Sequence, residues 1–96
     1  MNAKFEPGRV VATPGALEAL ADSGQDAEFF LEKHLSGDGG NLDAEDVAAN
    51  EQALVDGSRL LSVFHTLRGV KLYVLTEAVG DNGRRASTTI LLPEEY

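Results

Sequence analysis

Residues 1–9 are polar and broken by Pro7 and Gly8; the first apolar cluster, Val10-Val11-Ala12, is long enough for one short strand. Thr13-Pro14 then reads as a helix start, because the threonine hydroxyl can accept from a free N–H group and proline suits the first helical position. This helix is expected to run through Leu17 and Leu20 to about Asp22, with Gly24 as its stop. A second helix, capped by Asp26, carries Ala27, Phe30, Leu31 and Leu35 at spacings of three and four, which puts them on one face. His34 lies one turn beyond Phe30, at the edge of that face. Gly37-Asp38-Gly39-Gly40-Asn41 must turn. The third helix begins at Asp43, with Leu42 placed to pack on Val47. Glu45 and Asp46 occupy its first turn, where the helix dipole favours negative charge. Its expected buried stripe is Ala44, Val47, Ala48, Leu54 and Val55, and Gly57 ends it.

Beyond Gly57 the pattern changes to runs rich in Val, Leu, Ile, Thr and aromatics, at 59–67, 70–78 and 86–92. Read as two-residue hairpin turns, Arg68-Gly69 and Asn82-Gly83 set a register. Val63 then lies opposite Val74, His65 opposite Leu72, Val74 opposite Leu91 and Tyr73 opposite Leu92. One face carries Leu61, Val63, His65, Leu72, Val74 and Leu91; the other carries Phe64, Tyr73, Leu75, Ile90 and Leu92. Both faces are substantially apolar, which a one-sided antiparallel sheet avoids. Helices can shield one. The other calls for the segment around Phe5 and Val10-Val11, a second copy of the chain in a homodimer, or a protein partner. The expected fold is α+β: a short amino-terminal strand, three helices, then a three-stranded antiparallel β-meander packed on the helices. Residues 1–96 form a single domain in this reading, with 1–9 a tail or edge segment.

Composition narrows the chemistry. Apolar residues make up 43% of the chain and charged ones 25%, which is too apolar for general disorder. The absence of cysteine excludes disulfides, thiolate metal sites and Cys nucleophiles, and leans towards the cytoplasm. No apolar run approaches the roughly 20 residues of a membrane span, and residues 1–9 hold no apolar signal-peptide region. A net charge of -8 argues against direct nucleic-acid binding, which needs Lys and Arg to neutralise phosphates.

Four constellations bear on possible chemistry. His34, Asp38, Asp43, Glu45 and Asp46 gather around the Gly-rich turn and could hold a divalent metal, His34 and Asp38 foremost, but helix capping and turn preference explain the carboxylates more simply. Arg84 and Arg85, beside Ser87, Thr88 and Thr89, could bind an anion; their simpler reading is hairpin decoration. His65 with Ser62 or Ser87 could pair a base with a nucleophile, yet no GxSxG elbow is present. Gly37-Asp38-Gly39-Gly40 lacks the Lys-Ser/Thr of a phosphate loop and is flanked by carboxylates, so it is rejected.

Val11-Ala12-Thr13-Pro14-Gly15-Ala16-Leu17, His34-Leu35-Ser36-Gly37-Asp38, Asn50 with Ala53-Leu54, and the run from Ser87 to Tyr96 resemble a family of short, uncharacterised proteins of bacterial plasmids, integrative elements and phages. The family pattern has an aromatic residue after the position of Asp38, where this chain has Gly39. The resemblance implies roles such as countering host defence, regulating transfer or assisting replication, and no particular reaction. The leading expectation is a non-enzymatic interaction module that uses no cofactor. It would inhibit or modulate a host defence or nucleic-acid-processing complex through Phe64, Tyr73, Leu75 and Ile90, or through the acidic ridge of Asp38, Asp43, Glu45 and Asp46. The alternatives are a metal-dependent hydrolase or nuclease centred on His34 and Asp38, and a self-associating structural protein.

Overall fold

The computed structural model describes residues 3–96. Its elements are β1 (Arg9–Ala12), α1 (Pro14–Ser23), α2 (Ala27–Leu35), α3 (Ala44–Asp56), β2 (Leu60–His65), β3 (Lys71–Thr76) and β4 (Ser87–Leu91), followed by a 3-10 turn at Pro93–Glu95. The strands form one sheet in the order β1-β4-β3-β2. β2, β3 and β4 make the antiparallel meander, and β1 adds a fourth strand parallel to β4. The α+β architecture predicted from the pattern is therefore present, in a mixed sheet. Among the described residues, no helix is long and apolar enough to cross a membrane.

The local signals at the helix ends act as their chemistry requires. The Thr13 hydroxyl accepts from the Ala16 N–H at 3.2 Å, and the Asp43 carboxylate accepts from the Asp46 N–H at 2.9 Å. Asp26 occupies the start of α2 without a side-chain cap bond. Gly24 and Gly57 close α1 and α3.

The register differs by one residue from the one expected. In the first hairpin the Thr66 N–H donates to Val70 and the Gly69 N–H to Thr66, leaving a three-residue loop, Leu67-Arg68-Gly69. The second repeats this design: Gly80 donates to Arg84, Gly83 donates to Gly80, and Asp81-Asn82-Gly83 form the loop. Gly69 and Gly83 sit at φ +81° and +78°, the left-handed position that a three-residue loop places last. Consequently Val63 faces Tyr73, not Val74, and Val74 faces Ile90, not Leu91. Because side chains alternate along a strand, each one-residue shift exchanges faces. Phe64 and Ile90, expected on the outer face, are core residues, clustered with Ala16, Leu20, Phe30, Leu72 and Val74 under the helices.

The outer face carries Leu61, Val63, His65, Tyr73, Leu75 and Leu91. The chain's own tail lies against it, with the Tyr96 ring edge-on to Tyr73 at 6.1 Å and lining a cleft with Leu61 and Leu75. Val63, Leu75 and Leu91 are buried there. The Glu95 carboxylate fastens this tail to the start of α1, accepting from the Thr13 hydroxyl at 2.5 Å, the Leu92 N–H at 2.9 Å and the Gly15 N–H at 3.2 Å. The segment around Phe5 lies on the helix side instead: Lys4 N–H donates to Leu35 and Phe5 packs on His34.

The buried stripe expected on α3 is also corrected. Ala53 is the one buried residue of this 13-residue helix; Ala44, Val47, Ala48, Leu54 and Val55 are all exposed. α3 does not lie over the sheet but flanks the edge strand β2, attached by polar side chains.

Candidate functional site

Two features combine unusual chemistry with placement: a buried polar chain through the centre of the fold, and the open groove beside α3. The polar chain begins on α2. His34, one turn after the core residue Phe30, points into the sheet and is 2% exposed. Its Nδ1 lies 2.6 Å from the Ser62 hydroxyl and its Nε2 2.8 Å from the Thr76 hydroxyl. Thr76 lies 2.6 Å from the Thr88 hydroxyl, which donates to the Pro7 carbonyl at 2.8 Å. Ser62, Thr76 and Thr88 occupy inward positions on β2, β3 and β4, where the alternation would otherwise put aliphatic residues.

Proton counting fixes the direction of this chain. Each hydroxyl has one proton to give, and that of Thr88 goes to Pro7. Thr76 must then donate to Thr88, and His34 Nε2–H must donate to Thr76. Ser62, which also lies 3.4 Å from the Asp38 carbonyl, donates to Nδ1 when the ring is neutral. Burial, reinforced by the Arg85 charge, lowers the His34 pKa from 6.5 to about 4. Such a group is a weak base at neutral pH. Ser62 is 1% exposed and no carboxylate orients the imidazole, so the pair lacks the access and the third group that nucleophilic catalysis needs. The partnership expected for His65 does not form; that residue is exposed and its Nδ1 lies 3.1 Å from Asn41 Oδ1.

The other candidates separate in space. Both ring nitrogens of His34 are engaged by hydroxyls. The Asp38 carboxylate turns away to accept from the Gly40 N–H at 2.9 Å and to pair with Lys33 at 3.6 Å. No group of three His, Asp or Glu residues with metal-binding geometry occurs among the described residues. Arg84 is exposed in its hairpin, whereas the Arg85 guanidinium is buried. Its Nη1 donates to the Ser58 and Glu77 carbonyls at 2.7 and 3.0 Å, and its Nη2 to Ala53 near the end of α3 at 3.1 Å. Burial lowers the pKa of Arg85, while the Asp56 charge opposes that shift. The Arg85 guanidinium is thus engaged by carbonyls of its own chain, with Arg84 exposed beside it. Tyr73 and Leu75 remain on the outer face, Tyr73 half-buried against Tyr96 and Leu75 buried.

The groove arises from how α3 is held. Asn50 presents its side-chain amide to β2 as another strand would: Nδ2 donates to the Leu61 carbonyl at 2.6 Å and Oδ1 accepts from the Leu61 N–H at 3.0 Å. The Gly-rich turn serves the next pair, with Val63 N–H donating to Gly39 and Asn41 N–H to Val63. These contacts satisfy the free edge of β2, which would otherwise be a template for pairing. They also hold α3 away from the sheet. A cavity of about 90 Å³ remains between α3, the turn and the amino-terminal segment; Phe5, Leu42, Val47, Leu54 and Leu60 give its apolar walls, and His34, Ser62, Asn50, Lys4 and Glu51 also line it. Val47 and Leu54 are still 43% and 38% exposed, so the groove opens to solvent.

Asp43, Glu45 and Asp46, the acidic ridge expected from sequence, stand exposed at the start of α3, and Glu51 lines the groove. Residues 14–57 hold eleven of the sixteen acidic residues and one of the eight basic ones, Lys33. The helical half is thus strongly anionic, whereas the remainder carries a small positive excess. Among the described residues a single ion pair forms, between Lys33 and Asp38. No protein-family model, curated protein or solved structure matches this chain.

Proposed function

We propose that the chain is a non-enzymatic protein-interaction module of a mobile genetic element, which modulates a host defence or nucleic-acid-processing complex by docking through α3 and the turn before it. The carrying observation is the state of α3, whose apolar residues Val47, Leu54 and Val55 are exposed while polar contacts fix the helix in place. A helix held in this way keeps its contact residues for another molecule, and its lost freedom is already spent before binding. The carboxylates around it suit the Lys- and Arg-rich surfaces that nucleic-acid-processing proteins present to phosphates. The polar chain at His34 supports the non-enzymatic side of the reading, since its groups are nearly buried and hydrogen-bonded to one another. The mobile-element setting rests on the resemblance carried by the Thr13-Pro14 region, the His34–Asp38 run and the closing residues from Ser87.

A photo-crosslinking amino acid at position 54, compared with one at position 81 in the distant hairpin, tests this reading in bacterial host lysate. The expected result is a defined adduct from position 54 alone, competed by unlabelled protein. Equal adducts from both positions, or none from position 54, contradict it.

A further inference from the structure

Resting on that docking reading, we infer that the groove beside α3 captures a lysine- or arginine-rich segment of the partner and seats one aliphatic side chain of it in the cavity. The walls supply the apolar part: Leu42 from the turn, Val47 and Leu54 from α3, Phe5 from the amino-terminal segment and Leu60 from β2. The volume of about 90 Å³ leaves room for one branched side chain. Val47 and Leu54 are one heptad apart on α3, so an inserted side chain meets both at one stripe of the helix.

Charge chooses the rest of the segment. Glu51 lines the groove together with Lys4, Asp43, Glu45 and Asp46 occupy the first turn of α3 and its cap, and none of these four carboxylates makes an ion pair among the described residues. With eleven acidic residues and one basic one in residues 14–57, the field around the helices repels phosphate backbones, anionic lipid surfaces and acidic peptides and draws Lys and Arg. The chain's own amino-terminal segment already shows the combination. Lys4 runs across Gly37 and Phe5 packs edge-on against His34, so a cation and an apolar ring from successive residues form one wall.

The test uses three fluorescently labelled synthetic peptides of one length: an amphipathic Leu/Lys helix, a Leu/Glu helix of the same pattern and a Ser/Lys sequence. Binding is read by anisotropy across a salt series. The Leu/Lys peptide is expected to bind, to weaken as salt rises, and to exceed both other peptides by at least about tenfold. Leu54→Ser and Glu51→Lys are each expected to reduce its affinity about tenfold, and Leu67→Ser, in the exposed loop between β2 and β3, to leave it unchanged. Circular dichroism of each variant verifies that the fold persists. Failure of the Leu/Lys peptide to bind overturns the inference. So does equal binding of the Ser/Lys peptide, or indifference to Leu54→Ser and Glu51→Lys. A specific crosslink from position 54 combined with no Leu/Lys binding leaves the docking role standing and removes only the basic segment.

Discussion

Three hydroxyls and one imidazole take positions in the core that aliphatic side chains could have filled, and the cost is offset only because each donor finds an acceptor. That balance depends on His34 staying neutral. Its folded pKa lies below its unfolded value, so the unfolded chain binds more protons between about pH 4 and 6.5. Stability is fully present above that window and falls as pH drops through it, by about 3 kcal/mol in total. Urea denaturation at pH 7 and pH 4 should register this loss, and His34→Gln should remove most of the slope. Ring nitrogen shifts should report the neutral Nε2–H form down to pH 5. Glu95 acts in the same direction: the Thr13 hydroxyl and the backbone N–H groups hold its pKa below the usual range, so its contribution is lost as pH falls through that lowered value. Arg85 joins three carbonyls from two segments with one planar group, a geometry that a lysine cannot copy. Arg85→Met should lower unfolding free energy by roughly 2–4 kcal/mol, with Arg85→Lys intermediate, in the same denaturation experiment. Sequence reading placed His34 at the edge of an apolar face but could not find its partners, which lie 28 and 42 residues away. The available signal was Ser62, Thr76 and Thr88 alternating with aliphatic residues, and it becomes meaningful only once the strand register is correct.

At the level of elements, what could be read from the chain was whatever local chemistry decides. Thr13, Asp43, Gly24 and Gly57 bound their helices because capping involves neighbouring residues. Register was less legible, since Arg68-Gly69 and Asn82-Gly83 fit either a two-residue turn or the end of a three-residue loop. The choice moves Phe64 and Ile90 from one side of the sheet to the other. The α3 stripe failed for a different reason: helical spacing identifies a shared face, but burial requires a neighbour, and Asn50 occupies the contact with β2. Asn50→Ala should therefore free the Leu61 edge, cost about 1–3 kcal/mol and speed amide exchange throughout α3. Asn50→Asp should be worse, because it sets a carboxylate against the Leu61 carbonyl. Exchange in α3 unchanged by both substitutions would mean that other contacts hold the helix.

For the whole molecule, the outer sheet face has less apolar surface to cover than its pattern suggested, because Val63, Leu75 and Leu91 are buried within the chain and Tyr96 packs on Tyr73. Sedimentation velocity at tens of micromolar should accordingly give a monomer, and a stable dimer would return that face to consideration. Charge is divided instead: the helices are anionic and the sheet side mildly cationic, so an approaching basic partner is steered to the helix layer. The account depends on α3 keeping its apolar side chains available while polar pins fix its position. Methyl relaxation in the presence of a soluble paramagnetic agent measures that directly. The methyls of Val47, Leu54 and Val55 should relax strongly while those of Leu72, Val74 and Ile90 remain protected. Protection of Val47 and Leu54 equal to that of Leu72 would mean that the groove is closed in solution, and the proposed contact surface would not exist.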